Sequence, residues 1–358
     1  MTIAAGAAPV GVIGAGPMAD GIAGLAAQAG HEVHRCTATT IASLPACALV
    51  VDASRADLDE TCEIFEELGR HQPTTTILGC ASDELTVDDV APMTVRPARV
   101  VGLHFVAPVP DNPIVEVVRC QATDADTVIG VMGLMTQWGR TPVRCASAPG
   151  LIVERLWRVV VGEAERVVDE GLADPATVDA CLVAAGLPEG PLARADRLGL
   201  ADELRLTRAL WLQTQRHPRY APTPLLRSLV SAGTLGVATG RGFLTYAASA
   251  AGVVEPVEPV EVPDARLAEK LLALPITLNP GQRCIALLVD EAVEIVNRGE
   301  AGPRDVDIAA RVGLGMAVGP IEWGRQLGYR LVRDQLRELD AAYPGGRYLP
   351  STALSEIE

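Results

Sequence analysis

The residues of this chain best suited to chemistry are His104, in Gly102-Leu103-His104-Phe105-Val106-Ala107-Pro108-Val109-Pro110, and Glu116, twelve positions on in Ile114-Val115-Glu116-Val117-Val118. Imidazole titrates near neutral pH, so it can take a proton from a hydroxyl and return it to a carbonyl oxygen. A carboxylate on the second ring nitrogen would fix the tautomer and stabilise the imidazolium. An arbitrary His/Glu pair is more often a core histidine and a solvated glutamate, so the surrounding sequence has to decide.

That surrounding begins with an anion cradle. Val10–Ile13 is an apolar run, followed by Gly14-Ala15-Gly16-Pro17-Met18-Ala19 and then helical apolar spacing at Ile22, Leu25 and Ala26. In this G-x-G-x-x-A turn Gly14 permits the tight bend, Gly16 lets a pyrophosphate approach, and Ala19 packs helix on strand. The helix start, with Pro17 and Met18, offers unpaired N–H groups to the anion. A dinucleotide site of this kind expects an acidic residue at the end of the second strand for the adenosine ribose. The segment instead reads His34-Arg35-Cys36-Thr37, with Thr37 in the acidic position. Arg35 and the hydroxyls could receive a 2′-phosphate, which leaves NADP(H) open beside NAD(H).

Further along the chain, 48–51, 75–80 and Val100–Phe105 read as strands and 57–70 as a helix, an alternation that implies a parallel sheet covered on both faces. His104 then falls at the C-terminal end of a strand, the edge where such sheets bind ligands. The second half is helical and repeats at a shift of about 128 residues. Glu163-Ala164 to Gly171 returns as Glu291-Ala292 to Gly299, and Gly190-Pro191 to Leu198-Gly199 as Gly319-Pro320 to Leu327-Gly328. The expected organisation is an α/β Rossmann-like domain (1–148), a first all-α domain (149–247), a linker (248–267) rich in Ala, Val, Glu and Pro, and a second, repeated all-α domain (268–358). Duplicated modules tend to pack together, so the pair is expected as a homodimer interface or as an intrachain pseudo-dimer.

Composition removes several classes. The 358 residues carry a formal net charge of -15, which argues against nucleic acid and anionic membranes as partners. Lys270 is the only lysine, so Schiff-base and P-loop chemistry lack their residue. Eight cysteines lie singly without metal-ligand spacing and read as reduced thiols of a cytoplasmic protein.

Together these features resemble the L-3-hydroxyacyl-CoA dehydrogenase family in its long form with tandem C-terminal domains. The resemblance is carried by Val12-Ile13-Gly14-Ala15-Gly16-x-Met18, by Gly102-Leu103-His104-Phe105-x-x-Pro108-Val109-Pro110, by Val115-Glu116-Val117-Val118, by Pro149-Gly150-x-Ile152-Val153-x-Arg155-Leu156 and by Gly240-x-Gly242-Phe243. It implies hydride transfer between NAD and C3 of a 3-hydroxyacyl thioester, with His104 as proton acceptor and Glu116 holding it. It also marks departures on the substrate side. A family serine aligns with Asp83, leaving Ser82 next door; family asparagines align with Glu154 and Ala107. A helical excursion that helps hold CoA is nearly absent between Thr37 and Ala48. Carboxylates at 83 and 154 cannot donate hydrogen bonds when ionised. A catalytically silent binding or assembly module, and a dehydrogenase of another small hydroxy acid, therefore stand as alternatives. An arginine paired with either carboxylate, with Arg155, Arg99 and Arg96 the candidates, would indicate a site tuned to a different substrate.

Overall fold

Short apolar runs bounded by glycine, proline and polar turns form seven strands: β1 (Val10–Ile13), β2 (Val33–Cys36), β3 (Leu49–Asp52), β4 (Ile77–Cys80), β5 (Val100–Phe105), β6 (Ile114–Arg119) and β7 (Thr141–Ala146). In the computed structural model, which describes residues 8–82, 85–247 and 259–356, they make one sheet ordered β2-β1-β3-β4-β5-β6-β7. Strands β2 to β5 are parallel, as the sequence implies, but β6 runs antiparallel to β5 before β7 resumes parallel to β6. The reason is connection length. Residues 106–113 are too few for a crossover, so the chain can only turn back. That return sets His104 opposite Glu116 in register, with both side chains on one face.

Four helices accompany the sheet: α1 (Pro17–Gln28), α2 (Leu58–His71), α3 (Val87–Val90) and α4 (Ala125–Gln137). The Asp57 carboxylate caps α2 by accepting the Glu60 N–H at 3.0 Å. One face of the sheet, built from Val10, Val12, Leu49, Val51, Leu103 and Val115, packs on Ile22 and Leu25 of α1 and Val131 and Leu134 of α4. Side chains alternate across a strand, so His104 and Glu116 point to the other face.

The helical part comprises α5 (Val153–Asp169), α6 (Pro175–Ala184), α7 (Pro191–Leu198), α8 (Leu200–Gln213), α9 (Pro224–Ser231), α10 (Ala265–Leu272), α11 (Pro280–Asn297), α12 (Pro303–Ile308), α13 (Pro320–Leu327), α14 (Tyr329–Ala342) and α15 (Thr352–Ser355). Helices α7 and α13 each open after a glycine, Gly190 or Gly319, and close on one at positive φ, Gly199 or Gly328, as the repeat implies.

The compact units do not follow the expected consecutive domains. One runs through Val153 and takes in Arg298–Gly313; the other holds Glu154–Asn297 and continues from Leu314. Residues 298–313 were expected with the second helical copy, yet they lie on the sheet. The Ala146 N–H donates to the Glu300 carbonyl at 2.6 Å, Cys145 bridges Ala301, and Asn112 Nδ2 donates to the Gly313 carbonyl at 3.0 Å. Strands β6 and β7 need a cover on the face opposite α4, and this segment supplies it. Of the expected linker, 248–258 lie outside the described residues, Val260 donates its N–H to Thr245 O at 2.8 Å, and residues from Ala265 on already form α10.

Within the helical unit the two copies exchange identical contacts. Arg155 Nε donates to Glu291 Oε1 and Arg283 Nε to Glu163 Oε1, each at 2.6 Å. Tyr220 and Tyr348 hydroxyls donate to the same two carboxylates, at 2.7 and 2.6 Å. Each member of one set lies 128 positions from its counterpart in the other. Burial works to raise the Glu291 carboxyl, and Arg155 and Arg219 more than offset it, so the group is held below its ordinary value.

Candidate active site

The C-terminal edge of the parallel strands gathers the turn after β1, Ser82 after β4 and His104 near the end of β5. His104 and Glu116 are buried, and His104 Nδ1 hydrogen-bonds Glu116 Oε2. The second carboxylate oxygen, Oε1, accepts the Ile152 N–H at 2.8 Å and the Val153 N–H at 3.2 Å, at the first turn of α5. An anion is favoured at that helix end. The pair is thus held on both sides, with the His104 ring on one carboxylate oxygen and two backbone amides on the other. Arg140 Nη1 donates to the Pro110 carbonyl at 3.3 Å and braces the turn between β5 and β6. Cys145, on the neighbouring strand β7, is buried, and burial followed by the Glu116 charge pushes its thiol well up, which keeps it protonated and inert.

The glycine turn fits a dinucleotide. Gly14 has φ +109, and a Cβ there would meet the Ala53 carbonyl at 2.7 Å, so only glycine fits. Gly16 has φ +94 and nothing within 4 Å of its missing Cβ, which leaves open space beside the start of α1. Pro17 takes the first helical position and no side chain caps it, so the amides of that turn are available to a pyrophosphate. Met18 packs against the sheet core. Arg35 Nη1 pairs with the Asp20 carboxylate and Nη2 donates to the Gly14 carbonyl at 2.9 Å. Thr37 opens a short 3-10 turn (Ala38–Ser43), with its hydroxyl 3.0 Å from that of Thr39 and 3.1 Å from that of Thr40.

Of the residues expected on the substrate side, Ser82 Oγ accepts the Leu85 N–H at 3.2 Å, and Asp83 lies outside the described residues. Glu154, in the first turn of α5, is held by Arg158, whose Nη2 donates to Oε2 at 2.6 Å. None of the three arginines named from the sequence does this: Arg155 goes to Glu291, Arg96 Nη2 to the Leu68 carbonyl at 2.7 Å, and Arg99 makes no ion pair with Glu154 among the described residues. Arg158 also pairs with the buried carboxylate of Glu203. The i,i+4 spacing of Glu154 and Arg158 is visible in the sequence. Glu203 and the Ile152 and Val153 amides carry no such signal.

Comparison with known proteins agrees with this geometry. The NAD-binding domain of the 3-hydroxyacyl-CoA dehydrogenases matches residues 35–148, and their C-terminal domain matches twice, at 150–246 and 281–357. The 3-hydroxyadipyl-CoA dehydrogenase of Escherichia coli is 28% identical, over 97% of this chain and 96% of that protein. A probable 3-hydroxybutyryl-CoA dehydrogenase of Deinococcus radiodurans is 31% identical, over 66% of this chain and 99% of its own length. The crystal structure of 3-hydroxybutyryl-CoA dehydrogenase from Escherichia coli superposes with a TM-score of 0.84 at 26% identity, over 98% of both chains. With its NAD-binding sheet, glycine turn and duplicated helical module, the chain belongs to the 3-hydroxyacyl-CoA dehydrogenase family and is an oxidoreductase of that type.

Proposed function

We propose that this protein interconverts 3-hydroxyacyl-CoA and 3-oxoacyl-CoA thioesters, with His104 as the general acid and base and Glu116 as the group that orients it. The observation that carries the reading is the buried His104–Glu116 pair whose far oxygen is itself held by two backbone amides. Bound NAD supplies the hydride acceptor, and Gly14, Gly16 and the first turn of α1 would hold its pyrophosphate. In the oxidation direction His104 Nε2 takes the proton from the C3 hydroxyl, while Glu116 stabilises the imidazolium through Nδ1–H. In reduction the same nitrogen returns the proton to the C3 oxygen. Glu154 does not stand unpaired, because Arg158 holds it while also pairing with Glu203, and a partnered carboxylate favours an active site over a silent fold. The eight free cysteines fit a reducing compartment.

The test is NADH oxidation with acetoacetyl-CoA, followed by absorbance beside His104→Ala. The variant is expected to lose at least ~100-fold in kcat and to bind NADH unchanged. Near-wild-type turnover in the variant would remove His104 from the mechanism. An inactive wild-type protein that still binds NADH would point to a different hydroxy acid or to a binding role.

A further inference from the structure

We propose that Leu151 is a positioning residue, whose left-handed backbone aims the Ile152 and Val153 amides at Glu116 and so fixes the carboxylate that holds His104. The inference rests on His104 as the proton-transferring group. Gly150 and Leu151 both have positive φ, +70 and +51, and together they reverse the chain just before α5. Glycine does this freely, but leucine rarely adopts the conformation, and four non-glycine residues do so among the described ones: Arg55, Leu151, Gln215 and Arg216. Leu151 is the one apolar member of that set. Its N–H donates to the Ala148 carbonyl at 3.2 Å, which closes the turn. The next two N–H groups then converge on one oxygen, Glu116 Oε1. Successive amides after a left-handed residue form an anion-binding concavity, and the anion here is a buried side chain of β6.

The internal repeat supplies the control. A shift of 128 places Asn279, Pro280 and Gly281 at the positions of Leu151, Ile152 and Val153. Asn279 is extended, with φ -106, and its Oδ1 accepts the Gln282 N–H at 3.0 Å, so α11 caps itself. Pro280 has no N–H to offer at all. The helical module therefore does not require a left-handed residue at this point. The copy that has a carboxylate to hold adopts one, and the copy without it does not.

Three substitutions separate backbone conformation from side-chain packing. Leu151→Gly and Leu151→Asn accept positive φ and discard the apolar side chain; Leu151→Val keeps an apolar side chain and resists positive φ. Each full-length variant is assayed for NADH-dependent reduction of acetoacetyl-CoA. Without cofactor, the His104 Nδ1 proton resonance is recorded, which lies far downfield only while the carboxylate bond is made. The expected result is Leu151→Val with kcat lowered roughly 10- to 100-fold and the resonance shifted or lost, and Leu151→Gly and Leu151→Asn close to wild type in both. The reverse order, with Val active and Gly and Asn impaired, would make Leu151 a packing residue and overturn the proposal. Equal behaviour of all three variants, whether active or impaired, would overturn it too. Failure of the underlying reading is distinguishable, because His104→Ala would then remain active.

Discussion

His104 and Glu116 announce themselves by type and spacing, because imidazole beside a carboxylate has few uses that its neighbours in sequence cannot narrow. What the spacing hides is how firmly the carboxylate is held: both of its oxygens are engaged inside the protein. Arg35 shows the opposite case. Its type suggests a 2′-phosphate ligand, but its guanidinium is bound to the Asp20 carboxylate and the Gly14 carbonyl. A 2′-phosphate would have to displace Asp20 and approach its negative charge. NADH is therefore expected to bind more tightly than NADPH, and Asp20→Asn should raise NADPH affinity roughly 2- to 5-fold, the range of one exposed ion pair, with NADH affinity little changed. Fluorescence titration of both cofactors checks this; an NADPH affinity indifferent to Asp20 would place the discrimination elsewhere.

At the scale of elements, the β5–β6 return and the start of α5 build the site. The length of residues 106–113 could have warned that β6 runs antiparallel, since a parallel partner needs a longer connection. The partner of Glu154 was half legible, through the i,i+4 position of Arg158. The repeat shows what this network is not for. Where α5 and α8 place Arg158 and Glu203, α11 and α14 place Ala286 and Val332, all buried. The same packing is thus built without charges in the second copy. Arg158→Ala should cost about 3–5 kcal/mol by stranding the buried Glu203 carboxylate, whereas Arg158→Ala with Glu203→Val should recover at least ~2 kcal/mol of that loss. Urea unfolding of the two variants decides it. A double variant as unstable as the single one would mean that the first copy needs these charges for its fold.

For the whole molecule, the duplicated helical module satisfies its own interface through the crossed Arg155–Glu291 and Arg283–Glu163 pairs. No described helix is long and apolar enough to cross a membrane. The helical unit also buries carboxyl groups outside these pairs. Burial pushes Glu165 up to about 7 against the opposing Thr223 hydrogen bond, and Asp179 up to about 7 against the Leu192 and Ala193 amides. Both are raised above their unfolded values near 4, so their contribution is complete below those values and is lost as pH rises through 7. The melting temperature is expected to fall by at least ~2 °C between pH 5 and pH 8, with a smaller fall in Glu165→Gln. Scanning calorimetry across that range tests the sign; a melting temperature that rises with pH would contradict it.

The types and spacing of His104 and Glu116, the glycine turn, the α/β alternation and the repeat were all in the sequence, because each is a local matter of residue type, spacing or periodicity. The antiparallel β6, the seating of residues 298–313 on the sheet, the capture of Arg35 by Asp20 and the hold of two amides at the start of α5 on Glu116 were decided by tertiary structure. Each of these depends on which buried polar groups and uncovered strands find partners distant in sequence, and local spacing does not encode that choice.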